Sequence, residues 1–431
     1  MLRLLIEKFK KGETAKNSVI ALVLKVFGVG ILFLLTLFLT NYFSADLVGQ
    51  FSFSRSVILI LGGLSVVGTE QSIIYYSGYL KSKNALNNIK SVYTKSIKLI
   101  LCASILILVV IFLVDKDLVN SNFEIKNPYE IILKVSFYLL FYSLMMLNIG
   151  IFRALNRIAL SEFYRNVVLF LVFFGAAYLL LVYDLQAWIV DAFLVSYMIL
   201  GIVSTIQVYF MLKKLGAVNK DLTISLKEIF SASYPMALNT MTYFLLQSVG
   251  VVLLGKFESF ETVAYYDTAV RVATLTSMGV MSVNIAIAPK LAEDYNKGKL
   301  VELRKTYRSA IKLMFILSVP AILFLFLFGD FTLGLFGSEY KSAKPALYIL
   351  VVAQFLTTFF GISGTYMNMT GKQKILHKIL ILACLLNVLL NYLLIPKMGM
   401  NGSALAAGIS TVLWNFTAAL IIYKKDKIAI F

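Results

Sequence analysis

An all-α integral membrane protein, with about twelve transmembrane helices in two six-helix bundles, is the fold class this sequence predicts, and three observations predict it. The chain of 431 residues is 60% hydrophobic and only 14% charged, with a mean hydropathy of +0.85, far from the composition of an average soluble domain. Its apolar residues gather into twelve runs of about 20 residues or more, the length a helix needs to cross the hydrocarbon core. The short segments between those runs alternate between strongly basic and weakly charged.

In chain order the runs cover 18–41, 47–77, 91–114, 129–151, 160–183, 187–211, 230–255, 262–289, 307–329, 345–370, 375–395 and 402–423. The N-terminal MLRLLIEKFKKGETAK is basic and amphipathic; it reads as an interfacial helix leading into the first span and not as a signal peptide. The longest connections lie near 115–128, 212–229 and 290–306, so no soluble domain is expected. Twenty-nine Lys and Arg flank the spans at the two termini and every second connection, against six in the alternate connections. By the positive-inside rule this predicts a multi-pass protein of the plasma (inner) membrane with both termini cytoplasmic.

Six spans per half make both halves enter the membrane in the same direction, which calls for a parallel repeat about a pseudo-twofold axis along the membrane normal. The expected division is an N-terminal bundle at 1–215, a cytoplasmic linker at 216–229 and a C-terminal bundle at 230–431. Val263-Ala264-Tyr265-Tyr266-Asp267 echoes Val48-Gly49-Gln50-Phe51-Ser52, and Arg271 follows the one at nearly the distance at which Arg55 follows the other. Paired glycines and small residues, such as Gly62-Gly63 and Gly402-Ser403-Ala404, fall where helices would pack closely.

The net charge of +18 is a topology signal in this setting, and nucleic acid is excluded as a partner. Cys102 and Cys384 lie in apolar runs without metal-ligand or CxxC spacing and read as small buried hydrophobes. With a single histidine, His377, in a basic connection, neither a metal site nor histidine catalysis is expected. Charges inside the spans are the informative residues, because ionisable groups at membrane depth are costly and tend to be functional. Lys25, Arg55 and Arg271 form the main constellation; cations in a low-dielectric cavity attract anions, and arginine can grip phosphate bidentately. Each also has a plainer reading: Lys25 and Arg55 snorkelling to the two interfaces, and Arg271 in an i,i+4 ion pair with Asp267. Lys134 and Lys312, near span ends, read as snorkelling. Glu70, Asp191 and Asp267 are the candidate acids for binding a coupling proton or sodium ion, or for pairing with a cation; no other cofactor is expected.

The stretch Asn387-Val-Leu-Leu-Asn391-Tyr-Leu-Leu-Ile-Pro396-Lys-Met-Gly399-Met-Asn-Gly402-Ser-Ala404 is similar to the N-xxx-N-xxxx-P-xx-G-xx-G-x-A pattern of the superfamily of multidrug-and-toxin exporters, polysaccharide flippases and lipid II flippases. Its asparagines can bond between helices, Pro396 is expected to end one helix, and the glycines to turn tightly into the next. Pro235, Leu253-Leu254-Gly255-Lys256-Phe257, the Val263–Tyr266 run and Ala288-Pro289-Lys290-Leu291 add to the likeness. Twelve spans, the LLGKF element and the intramembrane cations make the chain resemble the polysaccharide (O-antigen, Wzx-type) branch. That resemblance implies a MATE-like fold and, with no enzymatic chemistry, alternating-access flipping of a polyprenyl-pyrophosphate-linked oligosaccharide to the outer leaflet for surface polysaccharide or lipopolysaccharide biosynthesis.

Membrane lipids and other polysaccharide-assembly proteins are the further partners implied. Lys25, Arg55 and Arg271 would hold the pyrophosphate, with Ser52 and Tyr266 near the sugar. One departure is Gly250, which stands where family members often carry an acid before the LLGKF-like element. A cation-coupled drug exporter, which would rely on acidic residues, is the alternative among transporters. A membrane polymerase or acyltransferase is the alternative among enzymes, but the large external loop of the first and the histidine–acid site of the second are missing from the sequence.

Overall fold

The computed structural model describes residues 13–218 and 222–428, so most of the expected interfacial helix at 1–16 lies outside the described residues. Among these the chain is helical without strands: α1 Glu13–Tyr42, α2 Ala45–Ser65, α3 Thr69–Ser82, α4 Ile89–Leu113, α5 Pro128–Ala154, α6 Ile158–Val182, α7 Ile189–Lys213, α8 Leu226–Phe257, α9 Phe260–Thr274, α10 Met278–Asn296, α11 Leu300–Gly334, α12 Lys344–Thr358, α13 Ser363–Met369, α14 Gln373–Met398 and α15 Met400–Asp426. Eleven helices are long and apolar enough to cross a bilayer, or twelve if the pair ending in α12 and α13, bent by 45°, is one span. The fold class is the one the hydropathy pattern predicts.

Two of the twelve runs are less regular than expected. The run at 47–77 breaks into α2 and α3 where Val67 (φ +53°) and Gly68 (φ +69°) adopt left-handed conformations. A Cβ at Gly68 would stand 2.3 Å from the Ser233 carbonyl oxygen and 2.6 Å from the Ala237 nitrogen, so the break needs glycine both for its backbone angle and for the approach of α8. The run at 262–289 becomes α9 and α10, joined by a tighter turn at Leu275–Ser277.

The chain forms two compact units, Met1–Leu35 with Gln50–Ser248, and Thr36–Gly49 with Val249–Phe431. The divisions fall inside α1, α2 and α8, whereas the sequence reading places the boundary in the connection at 216–229. Side chains of the first unit hold that connection: the Lys90 ammonium donates to the Leu215 carbonyl (2.6 Å), Lys95 to that of Ile224 (2.6 Å) and Asn88 to that of Leu222 (3.0 Å). Tyr76 donates to the Glu228 carbonyl (3.0 Å), and Ser233 bonds Ser72 (2.7 Å), which fixes the start of α8 as well.

In the first unit α5 is the central helix, packed by α3, α4 and α7. Apolar surface cannot drive helices together inside lipid, so close packing and interhelical hydrogen bonds do. Asn148 on α5 accepts from Tyr93 of α4 (2.7 Å) and donates to Ser204 and Thr205 of α7 (2.9 Å each).

In the second unit α14 and α15 form a tight hairpin with α12 against α15. Asn391 donates to Asn387 (3.0 Å) and accepts from Ser403 (2.8 Å), while Asn387 donates to the Ala406 carbonyl (3.2 Å). A Cβ on Gly402 would lie 2.4 Å from the Leu394 carbonyl oxygen. Pro396 does not end α14, as expected, but sits in its last turn; Gly399, at φ +54°, makes the corner. His377 likewise lies within α14 and not in a connection. Cys384 is buried, but Cys102 is exposed on the outside of α4 and not a core residue.

Candidate functional site

Charged groups converge in the first unit where α1, α3, α5 and α6 meet. Two close backbone approaches create the meeting. A Cβ on Gly28 of α1 would come within 2.3 Å of the Asn166 carbonyl oxygen on α6, and one on Gly150 of α5 within 2.5 Å of the Glu70 carbonyl oxygen on α3. The α6 segment under Gly28 is a π-turn, Tyr164–Val168, a distortion that often marks functional positions. One turn before Gly28, Lys25 stands within electrostatic reach of Glu162, Arg165 and Arg153.

Arg153 at the end of α5 pairs with Glu162 on α6, whose other oxygen accepts from Asn166 (2.9 Å). Arg165 pairs with Glu70 at 3.6 Å, a long contact, and its buried Nε lacks a hydrogen-bond partner. The Tyr142 hydroxyl on α5, also buried and without a partner, stands in the field of Glu70, Arg165 and Arg55; Tyr197, packed edge-on against Tyr142 at 5.2 Å, also lies within reach of Arg55. Lys25, Arg153 and Arg165 thus lie among two carboxylates, Glu70 and Glu162, and Arg55 stands near Tyr142 and Tyr197. Cations gathered in low-dielectric surroundings make an anion-attracting field. A buried guanidinium N–H without an acceptor costs about 1–3 kcal/mol, so it is a donor in want of a ligand.

Arg271 is placed differently. In the second unit its Nε (2.9 Å) and Nη2 (2.6 Å) donate to Asp267 and its Nη1 donates to Thr36 (2.7 Å), with both side chains of the ion pair under 10% exposed. The structure therefore brings Lys25, Arg55 and Glu70 into one unit and sets Arg271 with Asp267 in the other. Asp191, at the start of α7, pairs with Lys134 at 3.0 Å, and that ammonium also lies over the Trp188 ring.

Ser52 and Tyr266, expected near a sugar, are both buried, and the Tyr266 hydroxyl is turned to Ser403. Gly250 lies beneath that same network, 2.7 Å from Ser403 Oγ and 3.1 Å from Tyr266 Oη measured from a built Cβ. An acid there would have to displace the Ser403 and Tyr266 hydroxyls. Glu162 and Arg165 escaped the sequence reading because they sit at the margin of the fifth run, where Arg165 counts with the basic flank. Their three-residue spacing beside the Ser161 of an apolar stretch was the available signal.

Comparison with known proteins gives this geometry a family. The family model for MatE matches residues 235–393, and that described as Polysaccharide biosynthesis protein matches residues 14–295. The Probable low-salt glycan biosynthesis flippase Agl15 of Haloferax volcanii is 24% identical over 185 residues, 43% of this chain and 39% of that one. The Capsular polysaccharide biosynthesis protein CapF of Staphylococcus aureus is 29% identical over 186 residues, 43% of this chain and 47% of that one. The chain thus matches less than half the length of either relative. Among solved structures, a multidrug resistance MATE family transporter of the MOP superfamily in an inward-facing conformation superposes with a TM-score of 0.74 at 17% identity, over 95% of this chain and 98% of that one. At that identity the likeness carries the fold alone, and the fold is the MATE fold. Because the polysaccharide model spans most of the chain, from the first transmembrane helix to the end of α10, the protein belongs to the Polysaccharide biosynthesis protein family.

Proposed function

We propose that this protein is a flippase that carries a polyprenyl-pyrophosphate-linked oligosaccharide from the cytoplasmic to the outer leaflet of the plasma membrane by alternating access, with both termini cytoplasmic and no covalent step. The observation that carries the reading is the gathering of Lys25, Arg153 and Arg165, with Arg55 nearby at Tyr142 and the buried Arg165 Nε left without an acceptor. A pyrophosphate diester bears two negative charges, which a cluster of cations attracts. Lys25, Arg55 and Arg165 take the phosphate oxygens, and Glu70, held only by a long contact, is the carboxylate they release. The names of the glycan and capsular relatives favour a sugar-bearing lipid over a drug.

The test is flipping of a pyrophosphate-linked lipid oligosaccharide in proteoliposomes. Wild type should move it, and Lys25→Ala with Arg55→Ala should not, at equal protein incorporation. Undiminished flipping by the double variant would overturn the reading. A reporter fused after the last residue should be active inside the cell; activity only outside would overturn the orientation.

A further inference from the structure

At the end of the first unit that carries the basic connections, one turn beyond Arg153, two adjoining cavities of about 450 and 330 Å3 share Asn156, Arg157 and Met211. One continues along Ile158, Leu160 and Gln207; the other lies under Lys81, Lys214 and Leu215. Neither is lined by a carboxylate. Asn156 closes α5 in a left-handed conformation (φ +60°), with its N–H on Arg153 O (3.0 Å) and that of Arg157 on Phe152 O (2.7 Å), a helix-ending motif that turns Arg157 outward. The Lys81 ammonium holds this corner by donating to the Ala154 carbonyl (3.0 Å) and to Asn156 Oδ1 (3.3 Å). Arg157 and Lys214 are exposed.

The other face of the cleft is apolar. Leu160 and Met211 line it, and beyond them α6 and α7 expose Leu171, Ile206, Tyr209 and Phe210, all at least 48% accessible, as a lipid-facing surface would. Cations at one end, amide side chains between and hydrocarbon at the other follow the order of groups in a phospholipid. Basic pockets between transmembrane helices are where acidic headgroups bind, and the volumes fall within the range of small-ligand sites.

We propose that this cleft is a binding site for one anionic glycerophospholipid. Its phosphate meets Arg157, Lys214 and Lys81, Asn156 and Gln207 bond the glycerol and headgroup hydroxyls, and its acyl chains follow the outer faces of α6 and α7.

The experiment is native mass spectrometry of the purified full chain equilibrated with phosphatidylglycerol, phosphatidylcholine or glycerol 3-phosphate. Wild type should retain one phosphatidylglycerol in preference to phosphatidylcholine by about tenfold, and glycerol 3-phosphate at the same concentration should not displace it. Arg157→Gln with Lys214→Gln should bring the two lipids to parity. Lys297→Gln with Lys299→Gln, which removes the same charge from exposed positions of the second unit, should leave the preference intact, and so should the charge-keeping pair Arg157→Lys with Lys214→Arg. Equal retention of both lipids by wild type, loss of preference in either control pair, or displacement by glycerol 3-phosphate would overturn the proposal, pointing respectively to no site, to diffuse surface charge or shape alone, and to a phosphate site without a lipid.

Discussion

The two units treat their intramembrane charge in opposite ways. In the second, Arg271 and Asp267 neutralise each other through two hydrogen bonds while Thr36 takes a third donor. In the first, Lys25, Arg153 and Arg165 lie among two carboxylates, one contact is stretched to 3.6 Å and the Arg165 Nε is idle. Equal positions in a sequence repeat therefore do not imply equal roles. Arg55 and Arg271 occur at matching places, but only the α9 copy has an acid one turn back and so an ion pair within its own helix. A closed pair in low dielectric is a structural element with a cost for breaking it; a cluster of cations with an idle donor attracts anions.

That contrast can be broken experimentally, and the largest effect is expected in the open cluster. Arg55→Glu should cut flipping of a pyrophosphate-linked lipid by about a hundredfold or more, since it both removes a donor and repels the ligand, while membrane abundance stays normal on immunoblots. Arg271→Ala should act on the protein itself, lowering stability by about 3–5 kcal/mol through the unpaired Asp267 carboxylate. Asp267→Asn added to it should restore abundance and flipping; an abundant but inactive double variant would show that Arg271 does more than pair with Asp267. Smaller still, Asn391→Ala should lower the thermal midpoint in detergent by the equivalent of about 1 kcal/mol, the usual worth of a polar contact between transmembrane helices. Least of all, Cys102→Ala with Cys384→Ala should leave transport within about twofold of wild type, because one thiol faces outward from α4 and the other only fills space in α14.

Much of the fold was legible because membrane insertion is governed by two sequence-local quantities, run length and flanking charge. Helix breaks were not, since they depend on neighbours: Gly68 looks like any other glycine of a packed span until Ser233 and Ala237 come against it. The association of the 216–229 connection with the first unit was hidden for a related reason. Its anchors are carbonyl groups, which every residue has, met by Lys90, Lys95 and Asn88 that read as ordinary basic flank. Lys25, Arg55 and Glu70 were visible as charges in apolar runs, and their company was not. Glu162 and Arg165 come from a stretch 90 or more residues away, at a margin where depth in the membrane cannot be read from hydropathy.

The π-turn at Tyr164–Val168 constrains how this chain can change over evolutionary time. Such a turn holds one residue more than the α-helix around it, so deleting any one residue there would let α6 run on as a regular helix. Each residue of an α-helix advances about 100° around the axis; the deletion would swing Glu162 and Ser161 by that angle against Phe173 and Ala177, which are buried farther along α6. Either the carboxylate would leave Arg153 and Lys25, or an aromatic ring would leave the core. Loops elsewhere in the molecule can gain or lose residues at small cost, whereas α6 has its length fixed at the level of a single codon.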